Sequence, residues 1–527
     1  MEENKVIDSR FEFAQKDKVL RDEKMKTKRV GFFADAMSRF AKNKGSIVAA
    51  AILGTMILFS LIAPLCTGFG ENQRDDYYTQ CMPKISKNAN GFWDGCKNRS
   101  ITENEYYWRK EQGSIKKESE PYQKGDMFMG YSNYYDVKID TYKVGFVYDT
   151  FELSKIEEIL EHDKTVEQKD RILWPLVDMG QTAGSWINEI YPTATSNQID
   201  SYKGAIRTTL GHNANIDYRI YANGSAVKDA SGKITYLFKE VSSGDFKTES
   251  FDINGDGTTE TYIIAEKSPE ASMWDVRIQY DNYYKYTHNG KAPVFILGSD
   301  TVGRDLLTRL ACGARLSLLL GFSVSAINLI LGLIYGAIAG YYGGTTDLVM
   351  ERIAEILSEV PFMIVMSLFS IYNSRYWQLP VVIVVFFAFI LTGWLGTSGT
   401  VRMQFYRYKN QEYVLAARTL GANDFRLIFR HILPNAVGTI VTSSVLMIPG
   451  VIFSETSLSY LGIIDFASTG TASIGVMLSE GQSSYTTNPN LIIWPAIFIS
   501  ILMICFNLFG NGLRDAFNPQ LRGANNG

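Results

Sequence analysis

The sequence predicts an all-α polytopic membrane protein with six transmembrane helices and an extracellular α+β insertion. Three observations predict it. Five runs, Gly45–Gly70, Leu316–Thr346, Trp377–Val401, Asn435–Ser454 and Leu491–Leu513, contain no Asp, Glu, Lys or Arg. Each has the roughly 20 residues that a helix needs to cross a bilayer. A sixth apolar stretch, Val360–Ser374, is short and follows a segment bearing Glu351, Glu355 and Glu359. Most of the charge falls in the first 46 residues and between about 71 and 295, away from these runs.

Residues 1–46 form an N-terminal tail holding twelve Lys or Arg. Within it, Phe32, Phe33, Ala36 and Phe40 share one helical side, with Arg39, Lys42 and Lys44 nearby, the pattern of an interfacial helix. Residues 47–66 are the first transmembrane helix. It lies too late, and is followed by too many further spans, to be a cleaved signal. Residues 296–515 carry five more helices and a loop at 403–435, and 516–527 form a tail. The segment Arg402–Asn435 holds six Lys or Arg, whereas Leu461–Asn490 holds none. Because positive residues stay in the cytoplasm, both termini and the 403–435 loop are expected inside and 67–295 outside. The glutamates recur every four residues and share a face, so one continuous helix over 348–374 is expected to turn them toward protein or water.

The insertion is rich in tyrosine and has no run long enough to span. Leu153–His162 suits a helix capped by Ser154, while Lys233–Lys239, Glu260–Ala265 and Trp274–Tyr280 alternate as strands do. Outside the cell a disulfide persists, and of the five cysteines Cys81 and Cys96 are the pair placed to form one. Asp252, Asn254, Asp256 and Glu260 stand at the first, third, fifth and ninth places of a calcium loop, but Ile263 occupies the twelfth. A hairpin turn between two strands explains Asn-Gly followed by Asp-Gly better.

The net charge of -3 excludes a typical nucleic-acid binder, which needs a basic excess. No Gly-rich loop ending in Gly-Lys-Ser/Thr is present: Gly232-Lys233 runs into Ile and Gly290-Lys291 into Ala. Any ATP must therefore be spent by a partner. The four histidines are scattered and fit no metal-helix motif, so no catalytic residue, metal ligand or cofactor is assigned and the chain is read as no enzyme. The spans lack a chain of carboxylates suited to a proton relay, which weighs against a secondary transporter.

The string Glu412-Tyr-Val-Leu-Ala416-Ala417-Arg-Thr-Leu-Gly421-Ala, continuing to Leu433-Pro434, resembles the coupling loop of ABC importer permeases, with Leu415 where that family has Glu. Physically, it suits two short helices broken at Gly421. Leu297-Gly-Ser-Asp300-Thr-Val-Gly303-Arg304-Asp305, Gly313-Ala-Arg315, Gly340-Tyr-Tyr-Gly-Gly344 with Asp347, Glu455-Thr-Ser-Leu-Ser-Tyr-Leu-Gly462 and Asn507 to Asp515 resemble the second, C-type permease subunit of the dipeptide and oligopeptide branch. Phe295-Ile296, Asn511 and Asn518 depart from that pattern, and the insertion exceeds the family's usual loop. The resemblance implies a type I importer fold and uptake of oligopeptides, or alternatively of nickel or another small solute. It also implies a homologous permease subunit, two cytoplasmic ATP-binding subunits and an extracellular peptide-binding protein as partners. A receptor-like membrane sensor is the reading from a different class.

Overall fold

The computed structural model describes residues 32–517, apart from 87–90, 103–104, 107–108, 111, 127–129, 175–216, 219–235, 238–245, 254–256, 258 and 267–272. Helix α1 (Phe32–Phe40) leads into α2 (Lys44–Cys66), whose start is capped by Asn43 accepting from the Ser46 N–H. Ala36 and Phe40 bury one side of α1 against Leu513, Ala516 and Phe517, so this amphipathic helix rests on the end of the last helix.

Among its described residues the insertion contains eleven strands, two α-helices and two short 3-10 turns. Strands β1 (Cys96–Thr102), β2 (Ile115–Glu118), β3 (Tyr122–Asp126) and β4 (Gly130–Asp140) form one antiparallel sheet around β4. Tyr135, Val137 and Ile139 alternate inward along β4, as the two-residue period of a half-buried strand requires. β5 (Phe146–Glu152) leads directly into α3 (Leu153–Asp163), and β6 (Leu173–Trp174) follows. β7 (Asp217–Tyr218) and β8 (Tyr236–Leu237) make a short ladder. β9 (Phe246–Phe251), β10 (Glu260–Glu266) and β11 (Met273–Gln279) complete the second sheet in the order β5-β11-β10-β9, with β6 also on β11. Helix α4 (Tyr280–Thr287) returns the chain toward the membrane core.

Two local readings change and a third holds. The cap position of α3 is Glu152, with no side-chain bond, and Ser154 lies inside the first turn. Instead α3 is fixed at its other end, where the buried Asp163 carboxylate accepts the Ile172 N–H at 3.0 Å and the Leu173 N–H at 2.6 Å. Second, Cys81 and Cys96 are free thiols. Cys81 Sγ is turned to the Thr141 carbonyl at 3.3 Å and Cys96 Sγ to the Asp94 carbonyl at 3.6 Å. Third, Phe251 pairs with Glu260 across β9 and β10, so the calcium-like string sits in a hairpin connection. There the Asp252 carboxylate accepts the Gly257 N–H at 2.9 Å; Asn254 and Asp256 lie outside the described residues. Of the strand expected at 233–239, only Tyr236–Leu237 lies within them.

In the core, α5 (Leu306–Tyr342) is followed by α6 (Gly344–Ser358), α7 (Phe362–Tyr372) and α8 (Val381–Tyr408). The short α9 (Glu412–Thr419) precedes α10 (Asp424–Tyr460), α11 (Ile474–Gln482) and α12 (Asn490–Phe517). Among the described residues, five helices, α2, α5, α8, α10 and α12, are each long and apolar enough to span a membrane, and the bent pair of α6 and α7 together is a sixth. The continuous helix expected over 348–374 does not form: α6 and α7 meet at a bend of 69°. Pro361 at the break lacks an N–H and disfavours helical backbone at Val360. Glu351 meets Arg402 at 3.3 Å, and Glu355 pairs with Arg352.

The insertion is seated on the core by polar and aromatic contacts. Asn488, ahead of α12, donates to the Gln80 carbonyl at 2.6 Å and accepts from Lys97 of β1. Glu71 accepts the Ala472 N–H at 2.7 Å. Phe92 stacks edge-on against Trp494 of α12 with centroids 6.0 Å apart.

Candidate functional site

The segment 403–435 is built as a rigid mount carrying an uncovered apolar tip. Glu412 occupies the first turn of α9, where its charge complements the helix dipole. Val414 is fully buried, and Ala417 packs on the same cluster, together with Leu427, Ile432, Ala337, Tyr341 and Phe405. Ala416 is exposed but its carbonyl accepts from Leu420 at 3.1 Å. The turn then closes at Gly421, φ +85°, with the Ala422 N–H reaching back to the Ala417 carbonyl at 3.1 Å. That left-handed closing residue is where glycine carries no Cβ penalty. Asn423 caps α10 by accepting the Arg426 N–H at 2.9 Å. Leu433 and the exposed Pro434 follow a π-type turn at Leu427–Ile432, which accommodates the N–H that proline lacks.

Three bonds tie this mount to the end of α5. Tyr341 donates to Asp424 at 2.5 Å, and Lys409 donates to the carbonyls of Gly340 at 2.9 Å and Tyr341 at 3.4 Å. Outward, among exposed polar and charged side chains that include Arg418, Asn423, Arg426 and Arg430, stand three large apolar ones: Leu420 is 88% exposed, Phe425 69% and Phe429 50%. The Phe425 and Phe429 rings lie 4.4 Å apart, and large exposed apolar side chains grouped on a packed base are a feature of surfaces that a partner covers.

The other motif strings land where helices cross. Asp305 caps α5, accepting the Thr308 N–H at 2.8 Å and its hydroxyl at 2.6 Å. The Asp300 carboxylate accepts from Arg304 Nε at 2.7 Å and Arg309 at 2.6 Å, and both arginines also reach Glu480 of α11. Glu455 of α10 is fully buried and accepts from Ser317 of α5 at 2.6 Å, Ser473 ahead of α11 at 2.6 Å and Ser459 at 3.1 Å. Asp347 of α6 takes both prongs of Arg402 of α8, at 2.6 and 2.8 Å, and the Tyr406 hydroxyl at 2.7 Å.

Sequence reasoning did not single out Arg309, Arg402 or Glu480 as partners in these locks. Nor did it register the four-residue spacing of Gly332, Gly336 and Gly340, which lets α5 lie against α8. A Cβ on Gly332 would sit 2.6 Å from Thr397 Cβ, and one on Gly340 2.7 Å from Phe405 Cβ. That small-residue stripe was available as a signal.

Comparison with known proteins matches this arrangement. The binding-protein-dependent transport system inner membrane component family matches residues 332–523, and the N-terminal transmembrane domain of oligopeptide transport permease C matches residues 31–83. The oligopeptide transport system permease protein OppC of Bacillus subtilis is 43% identical over 225 residues, 43% of this chain and 72% of that protein. The chain belongs to the dipeptide and oligopeptide family of ABC importer permeases. The permease is also 40% identical to the dipeptide transport system permease protein DppC of the same organism, over 43% of this chain and 68% of that one. It is 32% identical to the glutathione transport system permease protein GsiD of Pectobacterium atrosepticum, over 46% and 79%. It is accordingly a multi-pass membrane permease subunit of the C type, and residues 84–331, which hold most of the insertion and the start of α5, lie outside both matched family regions.

Proposed function

We propose that this permease takes up oligopeptides as half of a translocation path, with 412–435 docking into a cytoplasmic ATPase. The observation that carries the reading is the apolar tip Leu420, Phe425 and Phe429, exposed on a base whose Val414, Leu427 and Ile432 are buried. A rigid knob transmits motion of whatever grips it to α8 and α10, which flank it. The rest of the assembly would be a homologous permease, two ATP-binding subunits and an exported peptide-binding protein. The Lys and Arg asymmetry supports cytoplasmic termini and an extracellular 67–295 segment. That segment would dock the binding protein or the partner permease.

Radiolabelled oligopeptide uptake, with a nickel control, tests the cargo in cells lacking the gene and in complemented cells. Loss and restoration of peptide uptake alone supports the reading. Loss of nickel uptake alone overturns the cargo, and normal uptake by a Leu420→Glu chain present at wild-type level overturns the docking role.

A further inference from the structure

At the base of the insertion a cleft of about 280 Å³ opens between β4, α4 and the strand-like return to the core. Four lysines line it: Lys84, Lys116, Lys143 and Lys285. Among the described residues, two carboxylates face them, Asp140 and Asp281. Asp140 is held between Lys84 Nζ at 3.6 Å and Lys116 Nζ at 3.5 Å. Asp281 spends one oxygen on the Tyr78 hydroxyl and the Val144 N–H, and its buried Oδ2 receives no hydrogen bond, facing only Lys143 at 3.8 Å. Lys285 is left with the neutral Asn282 amide at 3.3 Å. The lining therefore carries two more positive than negative charges.

The walls are organic in character. The rings of Tyr78 and Tyr142 form the floor, with Ala292, Pro293 and Val294 beside them. Lys84, nearly buried, is pinned 4.3 Å over the Tyr142 ring. A concave site with apolar walls and a few fixed charges is what a small molecule needs, and one sign of charge in a low-dielectric recess focuses its field on an entering counter-ion. The volume is larger than a bare inorganic anion requires, and the apolar wall gives it nothing to bind. An anion with a short aliphatic body satisfies both halves.

We propose that this cleft binds a carboxylate on a small organic body, supplied either by a free organic acid or by the C-terminus of a short peptide. Lys116 and Lys285 at the rim receive it. Neither the cytoplasmic docking surface nor the transport reading enters this assignment, because binding is read on the full chain alone.

The test is calorimetric titration of the full-length chain in detergent at low salt. The probes are succinate, glycylglycine and glycylglycine amide. Saturable binding of succinate or glycylglycine is expected, weakened about tenfold when two partly exposed charges are removed in Lys116→Ala/Lys285→Ala. It should be unchanged in Lys155→Ala, a lysine on α3 away from the cleft. Binding of glycylglycine but not of its amide assigns the peptide C-terminus, and succinate alone assigns the free acid. Lys285→Gln by itself, judged by an unchanged melting midpoint, guards against misfolding of the double variant and should weaken binding severalfold. Absence of saturation with both carboxylates, or equal affinity in these folded variants, overturns the proposal.

Discussion

Replacing Arg309 with Met removes the more deeply buried of the two arginines that join the elbow before α5 to α11. Its guanidinium is almost wholly buried, bonds Asp300 at 2.6 Å and reaches Glu480. Truncating one partner of a buried ion pair typically costs about 3–5 kcal/mol, chiefly because the opposite charge stays buried. Here the loss belongs at the low end. Asp300 keeps Arg304 Nε at 2.7 Å and the N–H groups of Val302 and Arg304, while Glu480 keeps Arg304 and is partly open to water. About 3 kcal/mol, at roughly 2–4 °C per kcal/mol for a core of this size, lowers the midpoint by about 6–12 °C. Thermal unfolding of the purified chain in detergent reads it. Arg309→Lys should recover only part, since a point charge cannot replace the fork that spans two carboxylates. A double-mutant cycle with Glu480→Gln should show coupling above about 0.5 kcal/mol. A midpoint within about 2 °C of wild type, well short of the lower bound of about 6 °C, or an additive cycle would refute the buried-lock reasoning.

Gly336→Val should destabilise the chain by about 1–3 kcal/mol or more, because the new side chain meets Val401 at 2.8 Å across the α5–α8 contact. Gly396→Ala, whose Cβ meets nothing within 4 Å, is the control, and melting midpoints compare them. Burial, with Arg99 and Arg109 nearby, pulls the Lys97 ammonium down to about 8. Between that value and the unfolded value of about 10.4 the unfolded chain binds more protons, so stability should rise with pH across that window. Lys97→Met should flatten that rise in melts taken from pH 7 to 10.5, a range set by the same two pKa values; an unchanged slope would contradict the assignment. Burial pushes the Cys81 thiol up to about 12, and burial with Asp140 and Asp94 pushes Cys96 up to about 11. Both should alkylate slowly at pH 8, where a thiol of pKa 11 is only about 0.1% thiolate, and peptide mapping after mild oxidation should recover no Cys81–Cys96 cross-link.

Much of the architecture was written locally. An uncharged run of 20 or more residues has one low-energy solution in a bilayer, a helix, because every backbone group must be satisfied internally. Five such runs therefore predicted helices without any knowledge of neighbours. The strands Glu260–Glu266 and Met273–Gln279 and the helix Leu153–Asp163 were equally legible from period, and Gly421 announced a turn because left-handed backbone favours glycine.

Tertiary structure decided what depended on distant partners. Pro361 gave no measure of its bend, since 69° is set by where α6 and α7 each find packing. The cysteine pairing failed because Thr141 and Asp94, not each other, lie against the two thiols. Arg309 and Glu480 are 171 residues apart, and no local pattern brings them together. The lysine cleft likewise gathers residues from 84 to 285. Sequence by itself determined which five segments are long and apolar enough to cross a membrane and where Gly421 turns the chain, because those preferences are met within a few residues; folding alone determined which charges meet, because Coulomb energy depends on distance in space and on burial, and neither is visible along the chain.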